Sequence, residues 1–141
     1  MGFSLRAEMQ FSAGHRLIGY PGKCSAPHGH TYRAELVVAG GELDAVGMVQ
    51  DFGVLKKAMR GWITEHWDHA FLLNSRDQAM IKAMALVDQS RVYLLDQANP
   101  TAENMARIFY DAMRNILGES VSAAVIWETA EQCAEFSGEA R

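Results

Sequence analysis

The sequence predicts a single α+β domain over residues 1–141: an antiparallel four-stranded sheet with two long helices on one face, in the order β-β-α-α-β-β. Three observations predict it. The two ends of the chain alternate apolar and polar residues with a period of two, and the middle carries two apolar stripes at helical spacing. No repeat, linker or low-complexity stretch interrupts them.

Phe3, Leu5, Ala7, Met9 and Phe11 alternate with Ser4, Arg6, Glu8, Gln10 and Ser12, the pattern of a half-buried strand. A Gly/Pro-rich stretch from Gly14 to Gly29 leads to a second strand, where Tyr32, Ala34, Leu36 and Val38 alternate with Thr31, Arg33 and Glu35 up to Gly40-Gly41. From Asp51, a predicted N-cap, the period changes: Phe52, Leu55, Met59, Trp62, Ile63 and His66 fall on one helical face. A short extra helix over Arg76 to Val87 and a short strand over Val92 to Leu95 read as a local insertion. Pro100-Thr101 opens the second long helix, whose stripe is Met105, Ile108, Phe109, Ala112, Met113 and Ile116, ending at Gly118. Val121 to Trp127 and Cys133 to Ser137 close the domain as strands. One face and the edges of such a sheet stay uncovered, so a homo-oligomer is expected.

Composition excludes several classes. With 49% apolar and 21% charged residues the chain is ordinary globular material, and a domain of this size needs no metal merely to stay folded. A net charge of −4 provides no basic field for nucleic acid. The first twenty residues alternate rather than form an apolar block, so they read as neither signal peptide nor membrane span, and a cytoplasmic protein is expected. Two cysteines, Cys24 and Cys133, are too few for a disulfide framework.

The chemistry concentrates around the first turn. His28 and His30 lie two apart at the start of a strand, so their side chains leave the same face. Pairing of the first two strands brings His15 alongside them. Three imidazoles suit Zn²⁺, and three protein ligands leave a position open for substrate. Cys24, on the same turn, is either a fourth ligand of a closed structural site or a reactive thiol beside the cation; a domain with its own core favours the thiol. Asp68-His69 follows the first long helix and is either an acid/base pair or a plain helix-end pair, since adjacent side chains seldom face each other. Glu128, in the apolar strand V-I-W-E-T, is either an inward ligand-binding acid or an outward residue, because a buried carboxylate needs a partner.

Taken together, F-S-A-G-H-R-L at Phe11 to Leu17, C-S-A-P-H-G-H at Cys24 to His30, G-M-V-Q-D-F at Gly47 to Phe52, W-D-H at Trp67 to His69, P-T-A-E-N at Pro100 to Asn104 and W-E-T at Trp127 to Thr129 resemble the 6-pyruvoyl-tetrahydropterin synthase / 6-carboxy-tetrahydropterin synthase family. The resemblance spans nearly the whole chain. It implies the tunnelling fold, with subunits forming trimeric barrels or dimers of trimers and active sites between subunits. It also implies zinc on His15, His28 and His30, proton transfer by Cys24 with Asp68 and His69 assisting, and a pterin ring anchored by Glu128, with Thr101 and Glu103 near it. Only Ser25, Ala26 and Pro27 separate Cys24 from His28, which resembles the carboxy branch of the queuosine pathway. The reaction implied is a lyase step on 7,8-dihydroneopterin triphosphate releasing triphosphate and acetaldehyde. The pyruvoyl product, or a zinc- and pterin-binding member without turnover, are the competing expectations.

Overall fold

The computed structural model describes residues 2–138. The alternating N-terminal stretch forms strand β1 (Phe3–His15) and pairs antiparallel with β2 (His28–Gly40) along its whole length, from Phe3 opposite Gly40 to His15 opposite His28. Helix α1 (Phe52–His66) begins at Asp51, whose carboxylate accepts the Gly53 N–H at 2.7 Å. Strand β3 (Ala70–Asn74), helix α2 (Gln78–Ala85) and strand β4 (Val92–Leu95) follow. Helix α3 (Ala102–Leu117) is capped by the Thr101 hydroxyl on the Asn104 N–H and ends at Gly118, whose φ of 91° suits glycine. Strands β5 (Val121–Trp127) and β6 (Cys133–Ser137) complete the domain.

The six strands form one sheet in the order β4-β3-β1-β2-β5-β6. The expected four-stranded antiparallel sheet is therefore its larger part only. β3 runs parallel to β1, and β4 parallel to β3, so the sheet is mixed and the order is β-β-α-β-α-β-α-β-β with three helices. The apparent insertion is a parallel βαβ unit continuing the sheet. Strand β3 escaped the period-two test for a physical reason: in A-F-L-L-N four of five residues are buried, so both faces are apolar and no alternation remains.

Helices α1 and α3 pack together over one side of this sheet. Leu55, Met59 and Ile63 of α1 and Met105, Phe109 and Met113 of α3 join Phe11, Tyr32, Ala34, Leu36 and Ile126 in one core around the fully buried Trp67. Phe11 stacks on Tyr32 at 5.1 Å and leans on Trp67 at 5.6 Å. Beyond Tyr32 the core face continues into imidazoles, with His30 and His15 ring centroids 5.4 and 5.8 Å from the phenol ring. Among the described residues no helix is long and apolar enough to cross a membrane.

Candidate metal centre

The β1–β2 register fixes the site. His15 ends one strand directly opposite His28, Ala13 faces His30, and alternation keeps all three imidazoles on the core face. Gly14, between them, permits a close approach from the other face: a Cβ there would stand 2.6 Å from the Phe71 ring. β5 continues this face. Ala34 pairs with Ile126, and Glu128, just past the last ladder pair, lies on the side of Ile126. The outward alternative for Glu128 is thus ruled out by its geometry.

One ligand atom from each of His15, His28, His30 and Glu128 lies within 4.8 Å of all the others. His15 Nε2 is 3.1 Å from His28 Nε2 and 3.1 Å from Glu128 Oε1, and His30 Nε2 is 3.2 Å from the same oxygen. The other ring nitrogens set the tautomers. His15 Nδ1 lies 2.8 Å from the Pro100 carbonyl and His28 Nδ1 2.6 Å from the Ala26 carbonyl; a carbonyl only accepts, so both Nδ1 atoms carry the proton. In the neutral rings both Nε2 atoms then turn lone pairs inwards, beside a carboxylate and the buried His30 Nε2, which has no hydrogen-bond partner. The lone pairs of His15 and His28, the Glu128 carboxylate and the His30 ring nitrogen face one point, an arrangement that fits a cation. Imidazoles whose second nitrogen donates to the backbone are also how metal-binding histidines are held.

Electrostatics agree with this crowding. The Glu128 carboxyl is held below the usual carboxylate range, first by the His15 ring in contact with its oxygen, against the opposing effect of burial. Burial lowers His30, and its neighbours His15 and His28 push the same way while Glu128 opposes them. The Tyr32 hydroxyl is pushed far up, by burial first and then by the charges of Glu128 and Cys24.

A polar network behind the cluster holds His15. The Asn99 amide accepts from Ile18 N–H at 3.1 Å and donates to the Ile18 carbonyl at 2.9 Å, tying the chain after His15 to the chain before Pro100. Asn104 donates to the Asn99 carbonyl and Asn74 to its side-chain oxygen. Next to this, Arg16 makes two bonds of 2.5 and 2.6 Å to the buried Asp77, which also accepts from Met80 N–H at the start of α2. The sequence pattern gives Tyr32 and Pro100 places in a strand and at a helix start, and Asn99 none, without tying any of them to the site. For Pro100 the only signal was its place before a helix cap, and a backbone carbonyl carries no side-chain signature.

The remaining expected residues are placed as follows. Cys24 sits half-buried on a 3-10 turn (Lys23–Ser25), pinned to the end of β1 by Leu17 N–H donating to the Cys24 carbonyl at 2.8 Å. It is outside the convergent set. Asp68 and His69 do face each other, at 3.1 Å, because His69 adopts a φ of 62°. Asp68 also accepts from Ser12 N–H at 3.0 Å, and His69 N–H donates to the Ser12 carbonyl at 2.7 Å. No hydrogen bond or ion pair joins this pair to Cys24 among the described residues. His69 shares with His28 and His30 an open depression of about 740 Å³, walled on its far side by Val87, Gln89 and Arg91. Thr101 is engaged in capping α3, and Glu103 lies exposed on its first turn.

Comparison with known proteins is consistent with this geometry. A family model described as 6-pyruvoyl tetrahydropterin synthase matches residues 4–139. A 6-carboxy-5,6,7,8-tetrahydropterin synthase of Rickettsia felis is 41% identical over 98 residues, 70% of either chain. The Haemophilus influenzae protein of the same name is 29% identical over 140 residues, covering 95% of this chain and 98% of its own. Among solved structures, Caenorhabditis elegans 6-pyruvoyl tetrahydropterin synthase superposes with a TM-score of 0.73 at 24% identity, over 99% of this chain and 97% of that one. An uncharacterized protein from Wolinella succinogenes superposes at 0.83 with 21% identity, over 99% of both chains.

Proposed function

The chain belongs to the 6-pyruvoyl tetrahydropterin synthase family, and on that premise we propose that it is a zinc-dependent 6-carboxy-5,6,7,8-tetrahydropterin synthase. The observation that carries the metal reading is the inward-facing set of acceptors on His15, His28, His30 and Glu128, two of the imidazoles being locked in one tautomer by backbone carbonyls. Imidazole-rich sites of this kind suit Zn²⁺. The carboxy product is favoured over the pyruvoyl one by the names of the relatives up to 41% identical and by the short gap from Cys24 to His28.

The substrate in this reading is 7,8-dihydroneopterin triphosphate. With one water it yields the 6-carboxy tetrahydropterin, acetaldehyde and triphosphate. His15, His28 and His30 would hold the zinc, which would supply a Lewis acid for the substrate's side-chain oxygens and so acidify the adjacent C–H bonds. Cys24, outside the ligand set but pinned beside β1, takes the proton from the side-chain carbon. Asp68 orients His69, which passes protons to and from the site; the pair makes no bond to Cys24 within one subunit, and in this reading a neighbouring copy's pair reaches that thiol. Glu128 accepts the pterin's amino and ring N–H groups as a bidentate pair. The open outer edges of β4 and β6 suit assembly of copies into a closed ring. Incubation with dihydroneopterin triphosphate and mass spectrometry of the product tests the reading. A carboxy product supports it, a pyruvoyl product moves the chain to the other branch, and no turnover by metal-loaded protein overturns it.

A further inference from the structure

Strand β3 grips β1 over three pairs, Ala13, Gly14 and His15 with Ala70, Phe71 and Leu72, whereas thirteen pairs hold β1 to β2. At the middle of the short contact the Phe71 ring lies on the bare backbone of Gly14: a Cβ there would stand 2.6, 2.7 and 2.9 Å from three ring carbons. Gly14 does not have the positive φ of Gly19, Gly47 and Gly118, so its backbone accepts a side chain and the ring is what excludes one. Two residues before Phe71 stands His69, at a φ of 62° that a non-glycine residue keeps where its surroundings hold it. His69 N–H donates to the Ser12 carbonyl at 2.7 Å, Ser12 N–H to Asp68 Oδ1 at 3.0 Å, and Phe71 N–H to the Arg91 carbonyl at 2.8 Å. Gly14 alternates with Ala13 and His15 and faces away from the imidazoles, so the ring contact bears on the dyad rather than on the ligand set.

Resting on the reading above that His69 moves protons, we propose that Gly14 and Phe71 are a positioning pair for Asp68 and His69. The ring seated on Gly14 sets where β3 begins against β1, and with it the two bonds through which Ser12 orients the dyad. A methyl group at position 14 pushes on β3, the side with the shorter hold, and shifts His69 while the β1–β2 ladder and its imidazoles stay in place. The pair acts through His69, not on the substrate.

The experiment compares the parent with Gly14→Ala, Phe71→Ala and the double variant Gly14→Ala/Phe71→Leu, in which a smaller side chain makes room for the added methyl. Turnover of dihydroneopterin triphosphate gives kcat and KM, elemental analysis gives metal per chain, and amide hydrogen exchange read by NMR sets Ser12 and His69 against the core residue Leu36. Each single variant is expected to lower kcat about 10- to 100-fold, the effect of an ångström-scale misplacement, with KM within about threefold of the parent. The Ser12 and His69 amides are expected to exchange about tenfold faster or more, with Leu36 and the metal content unchanged. The double variant is expected to regain most of the kcat that Gly14→Ala loses, a coupling that independent damage does not give. Parent-like kcat in both single variants overturns the proposal, as do losses that add in the double variant. Metal loss in Gly14→Ala overturns it too, since β1 would then be the side that yields, and equal acceleration at Leu36 and His69 would mark general loosening instead. If Gly14→Ala does not fold, Phe71→Ala decides by the same readings. A parent without turnover fails the functional reading alone; exchange at His69 then decides, and an unchanged rate in the variants sinks the positioning.

Discussion

His15 and His28 meet Nε2 to Nε2 at 3.1 Å while each spends its Nδ1–H on a backbone carbonyl. Two neutral imidazoles in these tautomers have no proton to share across that gap. The contact is repulsive until a positive centre occupies it, and Glu128, ionised at neutral pH by its low-lying carboxyl, adds a negative charge to the same point.

Removing one imidazole separates metal from fold. His28 is at the exposed end of its strand, and the core lies elsewhere, around Trp67, Leu36 and Phe109. His28→Ala is expected to lose the ion, measured as metal per chain after dialysis, and turnover with it, while its circular dichroism keeps the parent's secondary structure. Unfolding of the variant would mean that the ion is structural.

Cys24 lies outside the convergent set, so Cys24→Ala is expected to retain the parent's metal content and lose turnover by about two orders of magnitude or more. Elemental analysis beside a product assay checks both halves. Loss of metal in this variant would make the thiol a ligand.

The Asn99 side chain positions the Pro100 carbonyl by bonding Ile18 and Asn74 together. Asn99→Ala frees that carbonyl from its register with His15. Metal affinity is expected to fall about 10–100-fold, as for other groups that orient a ligating histidine, and stability by roughly 1–3 kcal/mol for the unsatisfied partners. Competition with a metallochromic chelator and denaturant melts give the two numbers. An unchanged affinity would leave Asn99 a purely structural residue.

The Arg16–Asp77 pair gives an acid limb of stability. Arg16 holds the Asp77 carboxyl below its ordinary value, chiefly through their hydrogen bonds. A depressed carboxyl stabilises the fold fully above the unfolded-state value of about 3.9, and that contribution is lost as pH falls through the lower folded-state value. Asp77→Asn is expected to cost on the order of 3 kcal/mol at pH 7 and less at acid pH below the depressed folded-state value, where the parent has lost the same contribution. Denaturant midpoints across pH test it, and a pH-independent difference would assign the cost to packing.

Much of this was legible in the residues themselves. Alternation placed β1 and β2, and the spacing of His28 and His30 with His15 in phase placed three imidazoles on one face. The caps Asp51 and Thr101 marked both long helices. What stayed hidden depends on tertiary context. β3 is buried on both sides and so lacks a period, and its parallel pairing with β1 joins residues far apart in the chain. The Asp68–His69 contact rests on a positive φ at a non-glycine residue, which no side-chain pattern announces. Pro100 acts through its carbonyl oxygen.

All three imidazoles come from one hairpin, His15 through His30, while Pro100 and Glu128 lie far downstream. During synthesis the hairpin emerges complete before α3, β5 or the turn bearing Glu128 exists. A nascent chain therefore already presents three nitrogens to an ion, held loosely because the carbonyl that locks His15 has not been made. Affinity in the partly formed state subtracts from the stabilisation that metal gives the finished fold, since an ion bound to both states favours neither. On the proposed metal reading, the late-arriving Pro100 and Glu128 would tighten whatever hold the hairpin alone has on an ion.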